Sequence, residues 1–381
     1  MIYSIGNCIV SPLGWCSEDN FQAVLRGDSQ LRYYENAFSL PHPCFISLID
    51  NDLLEEHFTV IGQKPVNGLT KVEKIAILAA AQALTQANID ASSPEVLFVI
   101  STTKGNVDLL EHNPYESQRV YLWRTAQIVA DFFQNPNTPI VVSNACISGC
   151  AAQLTAVNFL HSGLYKYIVV IGAETLSKFV ISGFQSFKAL STERCKPFDS
   201  QRVGLNLGEA AAAMVYTLTN DAEAMPTNAL VFQNGAINND ANHISGPSRT
   251  AEGLLRSIQK TLQDFDTQRI AFINAHGTAT LYNDDMEAIG IHRAGLQKVP
   301  VNSLKGYFGH TLGAAGVLET ILSYHALRNH VIVASKGTEK PGTVQPLHMP
   351  LTTQHTQGDS FMKLISGFGG SNAAMLFTIN R

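Results

Sequence analysis

Apolar residues along this chain recur with two different periods. Short apolar runs at 96–101, 140–143, 167–171 and 211–217 read as strands. Between them, stretches at 71–87, 121–133 and 151–162 carry apolar residues every third or fourth position and read as helices. The alternation recurs after residue 220, with strands expected at 230–233, 270–275 and 363–366 and helices at 254–265, 285–295 and 314–328. Strands that alternate with helices in this way predict a layered α/β fold.

The 381 residues suffice for two domains or one duplicated domain, and a hydrophobic content of 45% can fill a sizeable core. A net charge of −5 without any long basic run argues against nucleic acid as a partner. No apolar stretch reaches the roughly 18 residues that suggest a membrane span. The opening Met1 to Gly6 has no basic region ahead of an apolar one, so no leader is expected. Cysteines at 8, 16, 44, 146, 150 and 195 form neither Cys-x-x-Cys pairs nor zinc-type spacing, which fits a reducing cytoplasm.

Candidate chemistry starts at Ser143-Asn144-Ala145-Cys146-Ile147-Ser148-Gly149-Cys150, where an apolar run ends in small residues and a helical pattern begins. A thiol at a helix start faces unpaired N–H groups and the positive end of the dipole, both of which favour thiolate. Cys146 is therefore a candidate nucleophile, although a small buried packing residue fits the octapeptide equally well. Cys150 falls one turn inside the helix and reads as packing. Two later motifs favour the nucleophile. His276 lies in Asn274-Ala275-His276-Gly277-Thr278-Ala279-Thr280, just past an expected strand end, where open α/β sheets keep their chemistry. His310 ends Asn302-Ser303-Leu304-Lys305-Gly306-Tyr307-Phe308-Gly309-His310 and precedes the small-residue run Gly313-Ala314-Ala315-Gly316.

Together these residues resemble the elongating β-ketoacyl-acyl carrier protein synthases of the thiolase superfamily. The likeness spans nearly the whole chain. It takes in Ser11-Pro12-Leu13-Gly14, Pro197-Phe198-Asp199, Arg202, Gly208-Glu209 and Gly367-Phe368-Gly369-Gly370-Ser371-Asn372, with the motifs in the family's order. It implies a thiolase-like α/β fold in which two pseudo-duplicated αβαβα halves form a five-layered core. Residues 1–220 would supply the cysteine and 221–381 both histidines.

The resemblance also implies a mechanism. Cys146 takes an acyl chain from a carrier-bound thioester, and a malonyl thioester then loses carbon dioxide to give the carbon nucleophile. His276 and His310 hold the thioester oxygen through ring N–H groups. The N–H groups of Cys146 and Phe368 form the oxyanion hole, and the Phe368 ring gates the acyl pocket. Lys305 and Glu319 order the second histidine, while Thr278, Thr280 and Gly369 bind the phosphopantetheine arm of the substrate. Lys71 and Lys74, side by side on a helix, resemble the family's basic docking residues for acyl carrier protein. Two solvated lysines on an exposed face fit the same spacing.

Neither a cofactor nor a catalytic metal is expected, since Asp284, Asp285 and Glu287 are accounted for by the dipole of the helix they open. Gly367 to Gly370 lacks the Lys-Ser or Lys-Thr of a phosphate loop. The likeness further implies a dimer, either of identical chains or with a chain-length-factor homologue. Departures from the family include Ser101-Thr102-Thr103-Lys104-Gly105 in place of a glycine-rich turn, Ile147 after the cysteine, an abbreviated 189–197 loop, and Lys363-Leu364-Ile365-Ser366 without the usual polar pair. These changes bear on acyl chain length, pocket shape and any bound structural cation. A polyene, pigment or polyketide pathway is as plausible as fatty acid synthesis. A ketosynthase active only beside a chain-length factor and a cysteine thioester hydrolase stand as alternatives.

Overall fold

The computed structural model describes residues 1–60, 68–221 and 225–380. Its centre is a ten-stranded sheet made of β1 (Ile2–Val10), β2 (Val96–Ser101), β3 (Ile140–Val142), β4 (Tyr167–Glu174), β5 (Ala210–Leu218), β6 (Leu230–Asn239), β7 (Ile270–Asn274), β8 (Val301–Asn302), β9 (Ser360–Gly367) and β10 (Ser371–Ile379). The spatial order is β8-β7-β9-β10-β6-β1-β5-β4-β2-β3. Counted within its own half, each set of five strands runs 3-2-4-5-1. Strand directions repeat as well: β2 is parallel to β3 and β4, β7 is parallel to β8 and β9, and the last two pairings of each half are antiparallel. The halves join where β1 meets β6 antiparallel over only Ile2–Ser4 and Leu230–Phe232.

Two helices fill the space between the half-sheets: α2 (Ser148–Ser162) and α5 (Ala315–Arg328), counted with α1 (Lys71–Ala87), α3 (Glu252–Thr261) and α4 (Leu281–Arg293). Both touch strands of both halves and pack on each other, whereas α1 covers the outer face of the first half and α3 with α4 that of the second. The result is the five-layered αβαβα arrangement. In the middle layer the helices meet backbone to backbone, since a Cβ added at Gly149 would lie 2.9 Å from Gly316 Cα. Their sequences match this position. From Ala315 to Leu327 every residue of α5 is buried, and β5 uses a run of alanines to admit helices on both faces. Helix α1 has one anchored end, where Glu73 accepts the Thr70 N–H at 2.9 Å and pairs with Arg119 at 2.6 Å.

The expected elements are present with shifted ends. The strand expected at 230–233 continues to Asn239, helix α2 begins three residues earlier than 151, and α4 begins at Leu281 rather than 285. Strands β1, β10 and the two-residue β8 are additions to the expected set, and the first two show why. Polar residues such as Ser4, Asn7, Ser371 and Asn372 interrupt their apolar runs, and pairing on both sides makes them strands nonetheless. Among the described residues no helix is long and apolar enough to cross a membrane.

Candidate active site

Cys146 occupies the turn between β3 and α2. Ala145 adopts φ 44°, an unfavourable value for a residue with a Cβ, and Ser148 ties the turn by donating to the Ala145 carbonyl and accepting from the Asn144 N–H. The thiol is buried, and the Phe368 N–H is among the groups that favour its thiolate. Gly367 brings that segment close, since a Cβ there would stand 3.1 Å from the Cys146 nitrogen. Burial pushes the thiol up to about 11, and Lys305, the Phe368 N–H and Lys104 offset only part of that rise. The dipole argument, which favoured a resting thiolate, is thus outweighed by desolvation.

His276 follows β7, and its loop is clamped by one carboxylate. Glu287 of α4 accepts the N–H groups of His276 and Gly277, both at 2.7 Å. His310 is fixed by its backbone, which donates to Asn206 O at 2.7 Å and accepts from Gly208 N–H at 3.1 Å. The Leu312 N–H donates to His310 Nδ1 at 3.2 Å, so the ring proton sits on Nε2. That Nε2 and the Nδ1 of His276 are buried without a partner among the described residues. The rings meet edge to face with centroids 4.9 Å apart. Burial, then Lys305, hold both imidazoles well below their usual range, so both are neutral.

Behind the histidines lies an ionic cluster. Lys305 Nζ is 2.6 Å from Glu319 Oε1, and Lys363 Nζ is 2.5 Å from Glu319 Oε2. Asp284, Asp285 and Glu287 have structural partners: Asp284 accepts the Phe198 N–H, Asp285 pairs with Arg202, and Glu287 holds the His276 loop.

A cavity of about 480 Å³ opens in front of Cys146, His276 and His310. Thr278 and Thr280 line it, with hydroxyls 2.9 Å apart, and so does Phe368, whose ring stacks on Phe184 and meets Phe187 edge-on. Gly369 stands apart from the wall. Its N–H donates to Ile244 O at 2.6 Å and its carbonyl accepts from Asn239, so its polar groups are spent inside the turn rather than on a substrate. Lys71 and Lys74 are also engaged within the chain: Lys71 is 2.7 Å from Glu209, and Lys74 pairs with Glu55.

Sequence reasoning missed Glu287, Gly367 and Lys363. Only Lys363 left a signal, as a charge inside an apolar run. The sulfur of Cys146 and one ring nitrogen of each histidine lie within 4.8 Å of one another, the single set among the described residues with metal-ligand spacing. Zinc accepts such donors. The same three residues border the one cavity described above.

Known proteins resemble this chain in sequence and in fold. Residues 28–222 fit the model of the β-ketoacyl synthase N-terminal domain, and 230–339 that of the C-terminal domain. The 3-oxoacyl-[acyl-carrier-protein] synthase 2 of Coxiella burnetii is 26% identical over 97% of this chain and 96% of its own length. Its namesake from Vibrio cholerae is 25% identical over 98% and 97%. Among solved structures, a ketosynthase (ApeO) in complex with its chain length factor (ApeC) from Xenorhabdus doucetiae superposes with a TM-score of 0.87 at 24% identity, covering 99% of this chain and 98% of that one. The ishigamide ketosynthase/chain length factor gives 0.87 at 22%, with the same coverage. With both domain models matched and relatives that align over nearly the whole length, the chain belongs to the β-ketoacyl synthase family and is an acyl-transferring enzyme that forms carbon–carbon bonds.

Proposed function

We propose that this chain lengthens an acyl group by decarboxylative condensation, with acyl carrier protein delivering both the acyl and the malonyl thioester. The observation that carries this reading is the convergence of the Cys146 sulfur and two neutral imidazoles within 4.8 Å on one cavity. In the first step the Cys146 sulfur attacks the acyl carbonyl, the carrier thiol leaves, and the proton of Cys146 ends on that thiol. The Cys146 and Phe368 N–H groups are suited to hold the tetrahedral oxyanion, because Gly367 lets these two backbones approach.

In the second step a malonyl thioester replaces the departed carrier, with its arm along Thr278 and Thr280. Loss of carbon dioxide puts negative charge on the thioester oxygen, and the unpartnered Nε2–H of His310 would donate to it. His276 offers a second ring nitrogen to the same point. The carbanion attacks the acyl-Cys146 carbonyl, expels the Cys146 sulfur, and leaves a β-ketoacyl chain two carbons longer on the carrier. Hydrolysis is the weaker reading, because a hydrolase needs one imidazole as base for water, whereas two neutral imidazoles face this cavity.

The ketosynthase and chain-length-factor structures among the neighbours support a paired chain in a polyketide or polyene pathway, and a homodimer is the other form. Docking of the carrier at Lys71 and Lys74 would require it to compete with Glu209 and Glu55. Mass spectrometry of the protein exposed to a panel of acyl-carrier thioesters and then malonyl-carrier tests the reading, with Cys146→Ala as control. An adduct absent from the mutant, followed by a ketoacyl product two carbons longer, is expected. Free acid in place of that product would overturn condensation.

A further inference from the structure

The cluster behind the histidines holds more positive charge than its pairing needs. Lys363 lies in β9 between Met362 and Leu364, pairs in register with Asn274, and is fully buried. An ammonium in such a strand is costly unless compensated. Its compensation is Glu319 Oε2 at 2.5 Å and the Leu364 carbonyl at 2.9 Å. Lys305 already occupies the other oxygen of the same carboxylate at 2.6 Å. One carboxylate therefore serves two ammonium groups, and a site whose members are all at most 4% exposed carries one unit of excess positive charge.

We propose that Lys363 is a positioning residue for the condensation, holding Glu319 from the strand side and setting an excess positive charge behind His276 and His310. The idea rests on the elongating reading above. A single Lys–Glu pair would be the better structural unit, since a matched buried pair has no surplus charge to desolvate. The surplus acquires a use when an anion forms at the histidines, because a nearby fixed cation in a dry site stabilises developing negative charge.

Other groups around the histidines leave this surplus in place. Glu287, the further carboxylate on which Lys363 acts, is raised by burial to about 7 and turned to the His276 and Gly277 N–H groups, Asp284 is turned to Phe198 N–H and Arg202, and Glu174 to the Gly313 N–H and the 101–105 turn. Cys146 and Cys150 are thiols, both raised by burial. The influence of Lys363 reaches both histidines, after burial and Lys305 have acted, and also Cys150 and Glu287, whereas Lys305 and Lys104 are the main cations that bear on Cys146. Because Lys363 pairs in register with Asn274, two residues before His276, it is assigned to the malonyl half-reaction.

The test uses the full chain with Lys363→Met and Lys363→Gln, the second retaining hydrogen-bonding capacity without charge. Three quantities are read: thermal unfolding, the rate of Cys146 acylation by an acyl-carrier thioester, and carbon dioxide release from malonyl-carrier as a function of pH. Both variants are expected to unfold at or above the wild-type temperature, because Lys305 and Glu319 remain as a balanced pair. Acylation should stay within about twofold, while decarboxylation falls about tenfold and its acid limb moves to higher pH. Decarboxylation equal to wild type would overturn the proposal. So would a lowered unfolding temperature with both half-reactions falling together, the mark of a structural strut. A wild-type protein that neither acylates nor decarboxylates would overturn the elongating reading itself, whatever Lys363 does.

Discussion

Glu174 and Glu319 are buried carboxylates, one from each half of the chain, and the fold treats them in opposite ways. Glu174, at the end of β4 in the first half, meets only neutral donors: Thr103 N–H and hydroxyl at 2.8 Å, Gly313 N–H at 2.9 Å, Lys104 N–H at 3.0 Å and the Thr102 hydroxyl at 3.1 Å. Glu319, on α5 in the second half, meets two ammonium groups. Burial raises both. Hydrogen bonds recover part of that rise for Glu174, which stays above the usual range, whereas Lys305 and Lys363 reverse it for Glu319, which lies below. Both serve His310, since Glu174 clips the segment whose Leu312 N–H sets the His310 tautomer and Glu319 anchors the lysines behind the ring. A hydrogen-bonding clip fixes geometry, and an ion cluster also fixes a field.

Removing the charge of Glu319 should have the largest effect. Glu319→Gln leaves two buried ammonium groups without a counter-charge and is expected to cost about 3–5 kcal/mol in urea unfolding, with loss of condensation. A loss under about 1 kcal/mol would mean that the lysines find water or another partner. Glu174→Gln should cost less, about 1–3 kcal/mol, because an NH2 group then faces N–H donors that had an acceptor. Its activity loss should appear in the His310-dependent decarboxylation more than in acylation of Cys146.

The two carboxylates should also respond to pH with opposite sign. The folded value of Glu319 lies below the ordinary 4.5, so its stabilisation is present above that pH and is lost as pH falls through the folded value. The folded value of Glu174 lies above 4.5, so its contribution is complete below that pH and is lost as pH rises through the folded value. Unfolding free energies measured from pH 4 to 8 should therefore show the gap between wild type and Glu174→Gln narrowing toward neutral pH. The gap to Glu319→Gln should widen. Parallel slopes would remove the distinction drawn between them.

The three residues that the structure brings together at the cavity were legible because each combines a reactive side chain with a glycine or small-residue turn, as in Ala145-Cys146, His276-Gly277 and Gly309-His310. The carboxylates that hold them were less so. Glu287 reads as an ordinary acidic residue near a helix start, and Glu174 as the end of a strand, until tertiary packing sets them against loops distant in sequence. Lys363 is the intermediate case, since a lysine in an apolar run announces a buried partner without naming it. For the fold, alternation of periods located the central strands and helices. It missed the two-residue β8, which is too short to show a period, and β1 and β10, whose small polar residues acquire strand conformation from neighbours on both sides.

The smallest effect on stability, and the one that bears on how the halves cooperate, concerns the cysteine. The first half supplies Cys146 with a helix start, which by itself favours thiolate, yet burial between the halves sets the thiol at about 11. The second half returns part of that loss through Lys305 and the Phe368 N–H, the two largest lowering influences. Alkylation of the free enzyme by iodoacetamide should consequently rise about tenfold per pH unit from pH 7 to 10 with no plateau. Lys305→Met should lower the rate at every pH in that range, while Lys363→Met should leave it unchanged. A plateau below pH 8 in the wild type would show that the helix start outweighs burial, and the nucleophile would then be poised by the first half alone.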